Sequence, residues 1–154
     1  MNYLLRLQEK FIRYPMGQSL FSKVVARKAP YFTTIKPLIE ELRHNYICVS
    51  MKKRRSVENH LGTIHAIASC NLSEFAAGIC MEASIPTHRR WIPVEMTVQY
   101  LNKAKTNVRA ICDLSSVDWE TASAVDCAVT VIDTNNQEVV KAIITMKVSD
   151  KKKK

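Results

Sequence analysis

One long apolar helix between strand-like segments constrains the fold of this chain more than any other feature. Residues 64–81 form a largely apolar run that is rich in small residues, namely Ala66, Ala68, Ser69, Ala76, Ala77 and Gly78. Small side chains allow close packing against neighbouring backbone, which suits a helix enclosed by a curved sheet. Because His65, Asn71 and Glu74 interrupt the run, it lacks the about 18 uninterrupted apolar residues that a membrane-spanning helix needs.

Strand-like segments lie on both sides of this helix. Before it, residues 34–54 contain two extended segments joined by a turn near His44 and Asn45, and the second covers residues 46–51. After it, alternating apolar and polar residues predict further strands at about residues 94–100, 108–114, 121–133 and 138–149. We therefore expect an α+β protein in which about six antiparallel strands curve around one long helix, which is the hotdog fold.

Both ends of the chain carry segments outside this core. The length of 154 residues suits one domain, and we assign residues 30–149 to a single hotdog domain. Residues 1–29 show two amphipathic helical patterns with basic polar faces, and residues 150–154 form a lysine-rich tail. Such helices commonly cap a sheet or a dimer; contact of residues 1–28 with an anionic membrane is the alternative.

The positive charge of the chain predicts a polyanionic partner. The net charge is +9, from 23 basic and 14 acidic residues, which favours nucleic acid, an acidic membrane surface or a phosphate-rich ligand such as coenzyme A. No helix-turn-helix pattern, zinc-finger spacing or run of stacking aromatics is present, so we do not expect nucleic acid. The basic cluster Lys52, Lys53, Arg54 and Arg55 is a candidate contact for the phosphates of coenzyme A. The alternative interpretation is that these four residues are only the solvated end of the preceding strand.

The N-terminus and the cysteines both bear on the cellular compartment. Charged residues interrupt the apolar residues of the N-terminal segment, so it does not resemble a signal peptide, and we expect a cytoplasmic protein. The five cysteines are odd in number and widely spaced in apolar contexts. We therefore interpret them as small buried hydrophobes and not as a disulfide or zinc framework.

The polar residues near the start of the long helix call for a chemical explanation. Asn59, Gly62 and His65 precede or begin the helix, and Glu74 lies within it. A carboxylate is costly to bury on an apolar helix. Glu74 is therefore a candidate for chemistry before it is a candidate for structure.

These residues also resemble a known signature. Asn59-x-x-Gly62-x-x-His65, followed by Leu72-Ser73-Glu74, is similar to the pattern of hotdog-fold acyl-CoA thioesterases related to the phenylacetate-pathway enzymes, with the acidic residue nine positions after the histidine. The best resemblance is to a little-characterised branch, a domain of unknown function, whose signature reads roughly Asn-His-x-Gly-Thr-x-His-Ala. Residues 30–32 and 98–101 resemble that branch too, and the similarity covers about residues 30–149.

The resemblance implies a role for each matching residue. Glu74 corresponds to the carboxylate that attacks the thioester or activates water. The backbone N–H of Ala66 corresponds to the group that polarises the thioester carbonyl, at the positive end of the helix dipole. Asn59 corresponds to a residue that places the water or the carbonyl, and His65 to one that shapes the thioester site. No cofactor is implied beyond coenzyme A as part of the substrate.

Three further residues of this region are candidate substrate contacts, namely Gly62, Ile67 and Asn71. The family has two glycines directly after its histidine; Ala66 stands for the first, and Ile67, whose bulk alters the pocket, stands for the second. Gly62 belongs to the entry loop, and Asn71, one turn before Glu74, either orients that carboxylate or bonds to a partner helix. Each of three residues also has a structural alternative. Glu74 is held by hydrogen bonds at an interface without catalysis, Asn59 caps its own loop by bonding to local backbone, and His65 is a hydrogen-bonded structural histidine. A metal site formed by His60, His65 and Cys70 has no supporting spacing, and we expect none.

The spacing of Ala66 and Glu74 predicts a dimer. Eight residues on one helix separate the two groups by about 12 Å along its axis. One thioester carbonyl cannot lie within about 3 Å of both. The two groups must therefore come from different subunits of a homodimer, with their helices antiparallel, as the resemblance also implies. A dimer of dimers is a further possibility.

The leading functional interpretation is an acyl-CoA or acyl-carrier thioesterase that acts through Glu74 across a dimer interface. A non-catalytic hotdog module that binds acyl thioesters or only dimerises is the alternative, and Ile67 favours it. A dehydratase-type hotdog is a third option, but its proline-containing loop is not found in the sequence.

Overall fold

The computed structural model of the protein describes residues 2–151, which form three α-helices and six strands. In chain order these are α1 (Tyr3–Ile12), α2 (Gly17–Arg27), β1 (Leu38–Arg43), β2 (Tyr46–Met51), α3 (Ala66–Ser84), β3 (Arg89–Tyr100), β4 (Val108–Asp113), β5 (Ala124–Asp133) and β6 (Glu138–Asp150). Short 3-10 turns cover Pro30–Ile35 and Arg55–Val57.

The strands form one antiparallel sheet in the order β1-β2-β4-β5-β6-β3. The long helix α3 packs across one face of this sheet, against β2, β4 and β5. This is the α+β hotdog architecture that the sequence predicts. The order leaves β1 and β3 as the two edges of the sheet.

Helix α3 is almost entirely enclosed because its residues are apolar or small on nearly every side. Leu72, Phe75, Ala76 and Met81 are each no more than 1% exposed. The hydroxyl of Ser73 donates to the carbonyl of Ser69 within the helix, so its burial leaves no free donor. A helix that is apolar all round belongs in a core, and this one forms the axis on which the candidate site is built.

The N-terminal helices pack onto the same core. Leu4 of α1 and Phe21 and Val25 of α2 are buried in it. Helix α2 also bonds to the backbone of the edge strand β1. The Ser22 hydroxyl accepts from the Ile39 N–H at 2.9 Å, and the side-chain amide of α2 residue Gln18 donates to the Glu40 carbonyl at 2.6 Å.

The opposite edge of the sheet is open. Strand β3 is 12 residues long, and among the described residues it pairs only with β6. Its apolar side chains Ile92 and Val94 are 60% and 58% exposed, and Tyr100 is exposed as well. A long, exposed and apolar edge strand is a ready template for pairing with another chain.

Some element boundaries differ from the sequence predictions. Residues 34–35 belong to a 3-10 turn, not to an extended segment, because the hydroxyls of Thr33 and Thr34 bond back to the carbonyls three residues earlier. Helix α3 covers Ala66–Ser84 where we expected 64–81. Strand β5 begins at Ala124 instead of 121.

Strand β3 begins five residues before its predicted start, at Arg89, since it pairs with β6 from the Arg89–Asp150 position onward. Pro93 is accommodated within β3 by an irregularity in the register, as is typical of an edge strand.

All five cysteines are free thiols, and only Cys70 is not buried. Burial raises the pKa of the Cys48 thiol to about 11, so this thiol stays protonated near neutral pH and is a poor nucleophile.

The described residues end at Lys151, whose N–H donates to the His88 carbonyl. The remainder of the predicted lysine-rich tail, 152–154, lies outside the described residues.

None of the helices within residues 2–151 is long and apolar enough to cross a membrane.

Candidate active site

Asn59 closes the loop that leads into α3. Its carboxamide oxygen accepts from the N–H groups of Leu61 and Thr63 at 2.9 and 3.2 Å, and its amide donates to the Thr63 hydroxyl at 2.9 Å. Gly62 completes the turn with a φ of 69°, in the left-handed region that favours glycine. The side chain of Asn59 therefore serves its own loop, which is the structural alternative considered for it.

This loop delivers the chain to the start of α3 with one backbone donor free. His65 is the N-cap: its ring Nδ1 accepts from the Ile67 N–H at 3.1 Å, while its own N–H donates to the Val57 carbonyl at 2.8 Å. No acceptor within residues 2–151 receives the N–H of Ala66. The first N–H groups of a helix have no partner within the helix and lie at the positive end of its dipole. The Ala66 N–H can therefore donate a hydrogen bond to an anionic oxygen.

A pocket of about 260 Å³ with a mixed polar and apolar lining lies beside this helix start. Its lining includes Tyr31, Thr34, His65, Ile67 and Asn71. The Ile67 side chain is 54% exposed, so it borders the opening and does not fill the interior.

Asn71 forms part of the wall of the same pocket and is only 6% exposed. Its amide donates to the Thr34 hydroxyl at 3.2 Å, and its carboxamide oxygen has no partner among the described residues. The Asn71 side chain thus joins α3 to the 3-10 turn at residues 30–35.

Glu74 faces a different pocket. This second pocket has a volume of about 380 Å³ and lies between α3, β3 and the N-terminal helices. The carboxylate of Glu74 is half-buried and forms no hydrogen bond or ion pair with any other described residue. A carboxylate in such surroundings without a partner is free to accept a proton from water.

The structure thus brings Asn59, Gly62, His65 and Ala66 together and places Glu74 apart from them. Within one chain Glu74 lines the second pocket, whereas the two neighbours of Ala66, His65 and Ile67, line the first. Two turns of helix, or about 12 Å, lie between Ala66 and Glu74. A reaction that needs both groups requires a second copy of the chain.

The four basic residues after β2 divide into two kinds. Lys53 forms an ion pair with Glu58 at 2.7 Å, and Arg54 donates to the carbonyls of Thr34 and Ile35. These two side chains hold the loops around the first pocket in place. Lys52 and Arg55 are exposed, and their side chains form no hydrogen bond or ion pair with the other described residues.

Sequence reasoning missed the residues that surround Glu74. Trp91 donates its indole N–H to Glu82 at 3.1 Å and lines the second pocket, as do Tyr3 and Leu4 from the start of the chain. The sequence signal for these residues was the apolar face of the N-terminal helices. It indicated that the helices pack on the rest of the protein, but it did not indicate which residues they contact.

No group of three or more metal-ligating side chains occurs within the described residues.

Comparison with known proteins places this geometry in context. The family model for a domain of unknown function, DUF4442, matches residues 17–148. A search of proteins with curated descriptions finds no match.

Solved structures with the same fold are numerous. A crystal structure described only by a genomics target name is 41% identical, with a TM-score of 0.86, and the match covers 97% of this chain and 99% of that one. PA5026 from Pseudomonas aeruginosa, described as a protein of unknown function and probable thioesterase, is 18% identical with a TM-score of 0.75 and 90% and 97% coverage. The thioesterase HI1161 from Haemophilus influenzae is 10% identical with a TM-score of 0.74 and 86% and 90% coverage.

Proposed function

Because this chain belongs to the DUF4442 family and has the hotdog fold of its thioesterase neighbours, we propose that it hydrolyses an acyl thioester of coenzyme A or of an acyl carrier. The observation that carries the proposal is the carboxylate of Glu74, which lies at the border of an apolar pocket and has no partner among residues 2–151. The N–H of Ala66 at the start of the same helix, which has no acceptor in that part of the chain, supplies the complementary group.

The proposed chemistry uses Glu74 as a general base. Its carboxylate takes a proton from water while the water oxygen attacks the carbonyl carbon of the thioester. The carbonyl oxygen becomes an oxyanion, the C–S bond then breaks, and the proton held by Glu74 passes to the departing thiolate. The products are a carboxylic acid and a thiol. Direct attack by the Glu74 carboxylate, followed by hydrolysis of the mixed anhydride, gives the same products.

The developing oxyanion needs a hydrogen-bond donor, and we assign this role to the N–H of the partner's Ala66. A backbone N–H at a helix start is fixed in place, so it requires no reorganisation as charge develops. Alanine retains this donor where the related signature has glycine. The next residue, Ile67, is 54% exposed.

A homodimer follows from this division of the site, and the open edge of β3 supports it. Pairing of two β3 strands would cover Ile92 and Val94 and satisfy the free backbone groups of the edge. We therefore expect twice the mass of one chain in light scattering, and a strictly monomeric species at micromolar concentration would contradict this arrangement.

The direct test measures thiol release from a panel of acyl thioesters. The panel contains short, long and aromatic acyl-CoAs and the same acyl groups on an acyl-carrier protein. We expect turnover of at least one class, at a rate proportional to enzyme concentration and with no added metal or cofactor. If every member is bound but none is cleaved, the protein is not a thioesterase.

A non-catalytic module that binds acyl thioesters is the second candidate. The observation in its favour is Asn59, because the hydrogen bonds of its carboxamide oxygen all lie within its own loop and that atom is unavailable to place water. Binding without hydrolysis in the same panel is the result that would favour this candidate.

A further inference from the structure

The pocket beside Glu74 is walled on one side by the N-terminal helices. Apolar side chains provide most of its lining, among them Tyr3, Leu4 and Val25 from α1 and α2 and Phe32, Ile79 and Trp91 from the rest of the chain. The Phe32 ring is already packed edge-on against Phe75, with ring centroids 5.2 Å apart. The pocket therefore has a built apolar wall on both sides.

Glu74 is the one charged group of this lining whose side chain has no partner in the described part of the chain. Glu82 accepts the indole N–H of Trp91. The ammonium group of Lys28 lies 5.4 Å from the centre of the Tyr3 ring, in cation–π contact. A ligand in this pocket consequently meets apolar walls and a single free carboxylate.

Gly78 determines the position of one wall of the pocket. It lies one turn after Glu74 on α3, and a Cβ at this position would be 3.1 Å from the end of the Trp91 ring. The missing side chain lets Trp91 lie close against the helix, so its indole ring forms an apolar wall of the pocket near Glu74. An apolar extension of a substrate whose carbonyl is at Glu74 would pack against this ring.

We propose that this pocket binds a straight-chain acyl group of about ten to twelve carbons, and that α1 and α2 set the chain length. The volume of about 380 Å³ holds about a dozen units of methylene size if each occupies about 30 Å³, the share of a water molecule. A single-ring aromatic acyl group would leave about a third of this space empty, and unfilled space costs contacts.

Helix α1 takes this inference beyond the part of the chain that the family model describes. The family match begins at residue 17, so Tyr3 and Leu4 lie outside the part that matches the family model. The inference rests on the proposed function for the position of the thioester at Glu74. The existence of an apolar chain-binding pocket does not require that the thioester is cleaved.

The test measures binding of uncleavable ligands to the full chain. S-alkyl thioethers of coenzyme A with 2 to about 14 carbons are titrated by calorimetry, below their micelle concentrations. We expect the affinity to rise about fourfold for each added methylene, as burial of apolar area predicts, and to level off at ten to twelve carbons. Equal affinity for the two-carbon and ten-carbon ligands would overturn the proposal.

A paired substitution locates the chain within the pocket. Ala29 borders the pocket from an exposed, extended position that accepts any side chain, so Ala29→Phe narrows the pocket without entering the core. We expect about tenfold weaker binding of the ten-carbon ligand and little change for the two-carbon ligand. The matched control, Leu20→Phe, lies on the exposed side of α2 and should alter neither.

An equal effect of Ala29→Phe on both ligands, or no effect on either, would show that the chain binds elsewhere. The hydrolysis panel gives an independent result. Chain-length-dependent binding without thiol release would defeat the proposed function and leave the pocket intact, and cleavage without that dependence would defeat the pocket alone.

Discussion

We expect Glu74→Gln to lower the turnover of the best thioester substrate by about 10²–10⁴-fold, the usual contribution of a positioned general base. The amide has nearly the shape of the carboxylate but cannot take a proton from water. Because Glu74 is half-buried and unpaired with any described residue, the exchange removes no known interaction, and the thermal unfolding midpoint should stay within about 2 °C of the parent's. Steady-state thiol release, with circular dichroism as the check on folding, measures both.

Glu120→Gln is the matched control, since it removes an exposed carboxylate outside both pockets. It should retain the activity of the parent. Parental turnover by Glu74→Gln would exclude this carboxylate as base or nucleophile. A large fall in both variants would instead point to a general effect of removing one negative charge and not to a role of one residue.

Ala66→Pro is expected to lower turnover by about 10²–10³-fold, because it deletes the proposed oxyanion donor. Proline suits the first position of a helix, where the N–H has no intrahelical partner. The preceding residue, His65, has φ −63° and ψ 139°, which is the extended conformation that a following proline requires. The substitution therefore removes one N–H with little effect on stability. Ala66→Ser retains the N–H and should retain most of the activity.

Mixing the two inactive variants tests whether the site is shared between subunits. A heterodimer of Glu74→Gln and Ala66→Pro has one site with both intact groups and one with neither. Random exchange makes half of the dimers mixed, so about a quarter of the parent activity returns. If activity does not return although differently tagged subunits are shown to have exchanged, each site belongs to one chain.

The strands and the long helix are predictable because their signals are local. Alternation along residues 108–113 and 124–133 follows from one face of a sheet packing on a core. Asn45 and Asn136 mark two turns through their positive φ values of 65° and 60°. The early start of β3 was not predictable, because its first residues are strand only through pairing with β6, at the far end of the chain.

The candidate site divides in the same way. The entry loop and the helix start are continuous in sequence, so the spacing of Asn59, His65 and Ala66 revealed them together. The surroundings of Glu74 come from residues about 70 positions earlier, such as Tyr3, and no local pattern reports that contact. The sequence also could not show that the side chain of Asn59 bonds within its own loop, because an amide that caps a loop and one that places water look alike in sequence.

The two edges of the sheet differ in a way that limits how many copies can associate. At β1 the backbone groups of Ile39 and Glu40 are already bonded to side chains of α2, whereas β3 is open. A chain with two open edges can add copies without end and form a fibre. Among the described residues β3 is therefore the sheet edge left for another strand. If two copies pair through β3, as proposed, that edge is occupied in both, and the bonds that α2 makes to β1 would then hinder further addition at the other edge and so protect against polymerisation.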